Sequence, residues 1–176
     1  MRAARPPASL YRAGAMGQRI WRVYEGTVNW AAVALFSTMV VVTTLGVFFR
    51  YVLNNALPWA EEADRYLFIW LSFVGASITM RHKAHIAVDL LLRYASAAWR
   101  HRLELAAQFS VLIFLGVVFW ASQPVIELTS ETRATATDIP MSWVYLAVPT
   151  GCILIGIETL RLMARARTET RRGKAA

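Results

Sequence analysis

Cysteine occurs once in 176 residues, as Cys152 inside an apolar run. One thiol excludes an intramolecular disulfide and a cysteine-built metal cluster. Charge is nearly as scarce: Asp, Glu, Lys and Arg make up 17% of the chain, against about 25% in an ordinary soluble domain. There is no glycine-rich phosphate loop and no pairing of a nucleophile with a base, which argues against an enzyme. The three histidines, His82, His85 and His101, share one connector, so a four-span cytochrome with haem ligands facing one another in a bilayer is excluded. Neither a soluble domain, nor an internal repeat, nor a long linker is evident.

What the chain has in abundance is apolar length: hydrophobic residues reach 57% and the mean hydropathy is +0.41. Val28 to Phe49 carries no charge, and at about 1.5 Å per residue it reaches about 33 Å, enough for a hydrocarbon core of about 30 Å. Leu105–Ile126 and Ile139–Ile157 are further charge-free runs. Tyr66–Met80 alone rises only about 22 Å and must borrow length from its flank. Asn54 and Asn55 suit a turn, Pro58 suits a first helical position, and Glu61, Glu62 and Asp64 suit the positive end of a helix dipole. A helix from there to Arg81 would span, with Trp59 and Tyr66 as interfacial anchors.

The expected fold is therefore an all-α integral membrane protein with four transmembrane helices: 25–50, 58–81, 103–126 and 139–163. Basic tails cover 1–24 and 164–176. Between the second and third spans, residues 84–99 place Ile86, Leu90, Leu91, Tyr94 and Ala98 at helical spacing opposite His85, Asp89, Arg93 and Ser96, which predicts an amphipathic helix in the membrane interface. An ordinary loop helix is the competing reading of that segment. Of the 19 basic residues, five precede the first span, five lie between the second and third, and six close the chain from Arg161 on, leaving only Arg50, Arg65 and Arg133 for the other side. The positive-inside rule then puts both termini in the cytoplasm. The net charge of +8 belongs to membrane flanks facing anionic lipid rather than to a nucleic-acid-binding surface. The first run exceeds a signal peptide's apolar core and no small-residue cleavage pattern follows it.

A transporter with its own ion or proton site usually carries an ionisable group deep in the bundle. Here Glu104 and Glu158 fall near the cytoplasmic ends of their spans, Glu127 follows the third span, and the only mid-span breaker is Pro149 in the fourth, whose missing N–H predicts a kink. His85 and Asp89, four apart, suit a surface pair better than a metal site. Glu61 and Glu62 precede Arg65 by four and three residues, a spacing that favours pairing with it, and Arg50 at the end of the first span is placed to close the network.

The stretch "FRYVLNNALPWAEEADRYLFIWLSFVGASITMRHKAHIAVDLL", residues 49–91, resembles the small membrane subunit of TRAP (tripartite ATP-independent periplasmic) transporters, the DctQ and SiaQ type. The resemblance rests on Arg50-Tyr51, Asn54, Trp59, Glu61-Glu62, Arg65-Tyr66, Trp70, Gly75-Ala76, His85-Ile86 and Val88-Asp89. In "DIPMSWVYLAVPTG" it continues through Ile139-Pro140, Trp143, Tyr145, Pro149 and Gly151. It implies an accessory scaffold subunit in a bacterial inner membrane, serving ATP-independent uptake of organic acids. The implied partners are a large multi-span permease subunit, which would hold the solute and coupling-sodium sites, and a periplasmic solute-binding protein; no cofactor is implied for this chain. Arg50, Trp59, Glu61, Glu62, Arg65, His85, Asp89, Pro140, Trp143 and Pro149 are the candidate structural or subunit-interface residues. A self-sufficient oligomeric exporter and a structural membrane protein unrelated to transport are the rival readings.

Overall fold

The computed structural model describes residues 8–81 and 97–173, with side chains for 19–81, 103 and 105–164. Of the segment 84–99, only 97–99 fall within the described residues; His85 and Asp89 lie outside them. The described chain is helical, and its sole β feature is an isolated antiparallel bridge between Arg133 and Pro140. Helix α1 runs Ala8–Tyr51, α2 Pro58–Arg81, α3 Ala97–Leu128, α4 Met141–Tyr145 and α5 Ala147–Gly173. Three stretches are long and apolar enough to cross a membrane: Arg19–Tyr51, Leu105–Leu128 and Met141–Ala164. The 24 residues of α2 are long enough, at about 36 Å, but its acidic and basic head makes it the least apolar of the four long helices over its membrane-length window.

The four long helices pack in the order α1, α2, α5, α3, so α2 and α5 are central and α1 and α3 form the edges. From Val28 on, the less exposed positions of α1 are Val28, Ala32, Leu35, Met39, Val42, Gly46 and Phe49, alternating steps of four and three. That is the narrow seam of a coiled-coil contact, along which α1 packs its backbone against α2 from Val28 on. At Gly46 the helices come close: an added Cβ would sit 3.4 Å from Ala60 Cβ on α2.

The chain turns between α1 and α2 through Asn54, which has φ 52°, a left-handed conformation that Asn tolerates better than most residues. Pro58 opens α2, where its missing N–H costs nothing. The final membrane-length stretch is interrupted at Leu146 between α4 and α5. The interruption follows from Pro149, third in α5, which has no N–H to donate to the carbonyl of Tyr145.

The α2–α5 contact is set by Gly151, which is buried against Phe73. A Cβ there would lie 2.7 Å from Phe73 Cβ and Cγ, closer than carbon atoms pack, and the Phe73 Cβ cannot swing aside as a rotamer does. Gly151→Ala is expected to cost about 1–3 kcal/mol through overpacking. Thermal unfolding of the purified subunit in detergent measures it.

Candidate functional site

Two polar clusters occupy opposite ends of the antiparallel pair α1 and α2. At the turn end, Arg50 on the last turn of α1 forms an ion pair with Glu61 on the first turns of α2, both half-exposed, with side-chain accessibilities of 47% and 61%. One helical turn deeper, Thr43 Oγ1 lies 2.8 Å from Asp64 Oδ2 and 2.8 Å from the carbonyl of Met39, sharing its one proton between them. The other oxygen of that carboxylate, Asp64 Oδ1, is buried and accepts no hydrogen bond.

Glu62 points elsewhere. Its Oε2 accepts hydrogen bonds from the backbone N–H of Ala136 at 3.0 Å, the N–H of Thr137 at 2.8 Å and the hydroxyl of Thr137 at 2.9 Å. Those donors sit on the connector between α3 and α4, which is itself closed by hydrogen bonds from Ala134 N–H to the Ile139 carbonyl and from Met141 N–H to the Thr132 carbonyl. Asp138, at φ 54°, makes the sharp turn there, and Arg133 bonds its carbonyl at 3.1 Å and its carboxylate at 3.3 Å. Tyr66 adds a contact from its hydroxyl to Met141 Sδ at 3.7 Å.

The spacing-based expectation that Glu61 and Glu62 pair with Arg65 is corrected by this geometry. Successive residues on a helix point about 100° apart, so Glu61 reaches α1 while Glu62 reaches the α3–α4 connector. Arg65 is exposed and makes no ion pair among the described residues. Trp59 and Trp143 are 40% and 62% exposed near the same end, Pro140 forms the bridge with Arg133, and Pro149 is buried.

The second cluster was not legible in the sequence as a cluster. Glu158 on α5 is 1% exposed. Its Oε1 accepts from Arg81 Nε at 3.1 Å, and its Oε2 lies 3.7 Å from Arg161 Nη1. Arg161 also pairs with Glu25 on α1 and lies over the ring of Trp21, 4.3 Å from its centroid. Arg81 Nη1 donates to Asn29 Oδ1 at 3.3 Å. Two carboxylates and two guanidiniums balance in charge, so the burial of Glu158 is compensated rather than isolated. Tyr24 Oη and Arg81 Nη2 are buried there without hydrogen-bond partners. By charge distribution alone Arg81 and Arg161 count among the basic flanks; the signal for the cluster is a carboxylate three residues before a guanidinium in "IGIETLRLMA".

The family model for tripartite ATP-independent periplasmic transporters, DctQ component, matches residues 39–169. The chain belongs to the DctQ family. That span includes all of the turn-end cluster, and Arg81, Glu158 and Arg161 of the other, while Glu25 and Trp21 precede it. Among individual relatives, this DctQ-family chain is 34% identical over 109 residues to the C4-dicarboxylate TRAP transporter small permease protein DctQ of Vibrio cholerae, covering 58% of this chain and 45% of that one. It is 23% identical over 123 residues to the sialic acid TRAP transporter small permease protein SiaQ of the same species, covering 70% and 71%. With the isethionate TRAP transporter permease protein DctMQ of Oleidesulfovibrio alaskensis it shares 25% identity over 116 residues, which are 62% of this chain but only 18% of the relative.

Proposed function

We infer that this chain is an accessory subunit of a TRAP-type secondary transporter, stabilising a large permease subunit during organic-acid uptake across a bacterial inner membrane. The observation that carries the reading is membership of the DctQ family across residues 39–169. The DctMQ relative adds to it, because there the matched segment is a small part of one long permease chain. The solute and sodium sites are assigned to the large subunit, delivery to a periplasmic solute-binding protein, and no cofactor to this chain.

In this reading α2 is a fourth span. It packs lengthwise between α1 and α5, both built from stretches long enough to cross, and its polar head sits at their end. The basic distribution supports placing both termini in the cytoplasm, with the Arg50–Glu61 end and the α3–α4 connector in the periplasm. The connector between the second and third spans is then cytoplasmic, its 84–99 segment lying along the membrane interface.

Reconstitution tests the assignment. In proteoliposomes with an inward sodium gradient, the isolated chain is expected to take up no organic acid, and addition of the large subunit with solute-loaded binding protein is expected to restore uptake. Robust uptake by the isolated chain would sink the accessory reading.

A further inference from the structure

From Glu61 to its end, α2 leaves six residues exposed: Glu61, Arg65, Phe68, Ser72, Ala76 and Thr79. Their steps of four and three make one stripe down the helix. On the opposite side Val74 and Ser77 are 6% and 0% exposed, so α2 is open in one direction only.

The composition of the stripe differs from that of the edge helices. Phe68 is its only large apolar side chain. By contrast α1 exposes Trp30, Phe36 and Val40, and α3 exposes Ile113, Phe114 and Val117, surfaces well matched to acyl chains. Small and hydroxyl-bearing residues are what bilayer helices use where their backbones approach one another. The hydroxyls of Ser72 and Thr79 donate back to the carbonyls of Phe68 and Gly75, at 2.7 and 3.0 Å, so neither obstructs such an approach by demanding an acceptor.

Composition does not stand alone. At the head of the stripe, Glu61 also lines a cleft of about 180 Å³ between α1 and α2, together with Thr43, Gly46, Arg50 and Asp64. Arg65, one turn below Glu61 on the stripe, is exposed without an ion pair among the described residues. An outward guanidinium at that position is complementary to a carboxylate on a facing protein helix, a partner that an acyl chain does not supply. In the DctMQ relative the segment matching this chain is joined to a much longer remainder, so a large membrane partner is at hand in that protein.

We propose that this stripe and the cleft at its head form the face on which a helix of the large permease subunit lies, with small residues against Ser72, Ala76 and Thr79 and a carboxylate against Arg65. The exposed sides of α1 and α3 are left to lipid. The proposal rests on the accessory-subunit reading and adds the face to it.

The test places a photo-crosslinking amino acid singly at Phe68, Ser72 and Ala76, at Phe36 and Val40 on α1, and at Ile113 and Val117 on α3, in cells that also make the tagged large subunit. Adducts with the large subunit are expected from the α2 positions at about tenfold the yield from α1 or α3. Partner adducts from α1 or α3 alone would overturn the face while leaving the accessory role intact. Adducts of twice this chain's mass from α2 would make the occupant a second copy and overturn the proposal, as would no α2 adduct at all. If the large subunit does not copurify with the unaltered chain, both readings fall together. A second measurement uses Ala76→Leu, which should leave the thermal unfolding of the isolated subunit unchanged and reduce the recovered large subunit about tenfold. Wild-type recovery with Ala76→Leu would contradict close helix packing at that position.

Discussion

Glu158→Ala is expected to destabilise the isolated subunit by about 3–5 kcal/mol, because it strands the Arg81 guanidinium and takes one of the two carboxylates from Arg161. The magnitude follows from burial: Glu158 is 1% exposed, and the side chains of Arg81 and Arg161 are 13% and 14% exposed. Water cannot replace the lost carboxylate without opening the α2–α5 contact. Arg161 would keep Glu25 and the Trp21 ring, whereas Arg81 Nε would lose its only charged partner among the described residues, so the damage should concentrate on α2. Glu158→Gln should be milder, since its amide oxygen still accepts from Arg81 Nε at the position now 3.1 Å away. Combining Glu158→Leu with Arg81→Met should recover much of the loss, as removing both members of a buried pair leaves no orphan charge. Thermal unfolding in detergent orders the variants. A Glu158→Ala subunit as stable as wild type would mean that this end is hydrated and its ion pairs carry little.

Such a network explains how α1 is held along its N-terminal half. Backbone packing joins α1 to α2 alone among the described residues, yet Arg161 reaches across to Glu25 and Trp21 from α5. The clamp therefore ties three helices at the end opposite the α1–α2 turn. The turn end is tied differently, by Arg50–Glu61 across one short connection and by Glu62 across a long one.

That difference marks what the sequence could disclose. The all-helical class was legible because three runs are too apolar and too long to be anything but membrane helices, and the family was legible from ordered short motifs around Arg50, Glu61 and Arg65. The proximity of Arg50 to the acidic head of α2 was legible too, since six residues between helices leave their ends side by side. The acceptor role of Glu62 was not, because its donors are backbone groups 74 and 75 residues away and backbone N–H groups carry no sequence signature. The order α1, α2, α5, α3 was equally hidden: a charge-free run states that it crosses, not which neighbour it meets. Glu158 was read by its place near a span end, and only the fold shows that the adjoining helices seal it.

Glu62→Ala should release the α3–α4 connector from α2. One carboxylate oxygen holds three donors, Ala136 N–H, Thr137 N–H and the Thr137 hydroxyl, so a single substitution leaves all three without their acceptor. A charged acceptor makes each of those bonds stronger than its neutral counterpart. The connector's internal bonds, Ala134 to Ile139 and Met141 to Thr132, remain, so the loop should keep its shape and lose its anchorage. Arg133 provides the readout, being a trypsin site in this loop and otherwise bound to Asp138. Under the proposed orientation, trypsin added outside spheroplasts should cut after Arg133 about tenfold faster in Glu62→Ala than in wild type, because cleavage samples the opened loop. Glu62→Gln should fall between, since its amide oxygen still accepts but without the charge, and Thr137→Val should have the smallest effect because it removes only the hydroxyl bond. Equal cutting rates across the three variants and wild type would show that the connector is held by its own bonds and that Glu62 does not anchor it. Cutting only from the cytoplasmic side, in inverted vesicles, would reverse the orientation inferred from the basic residues.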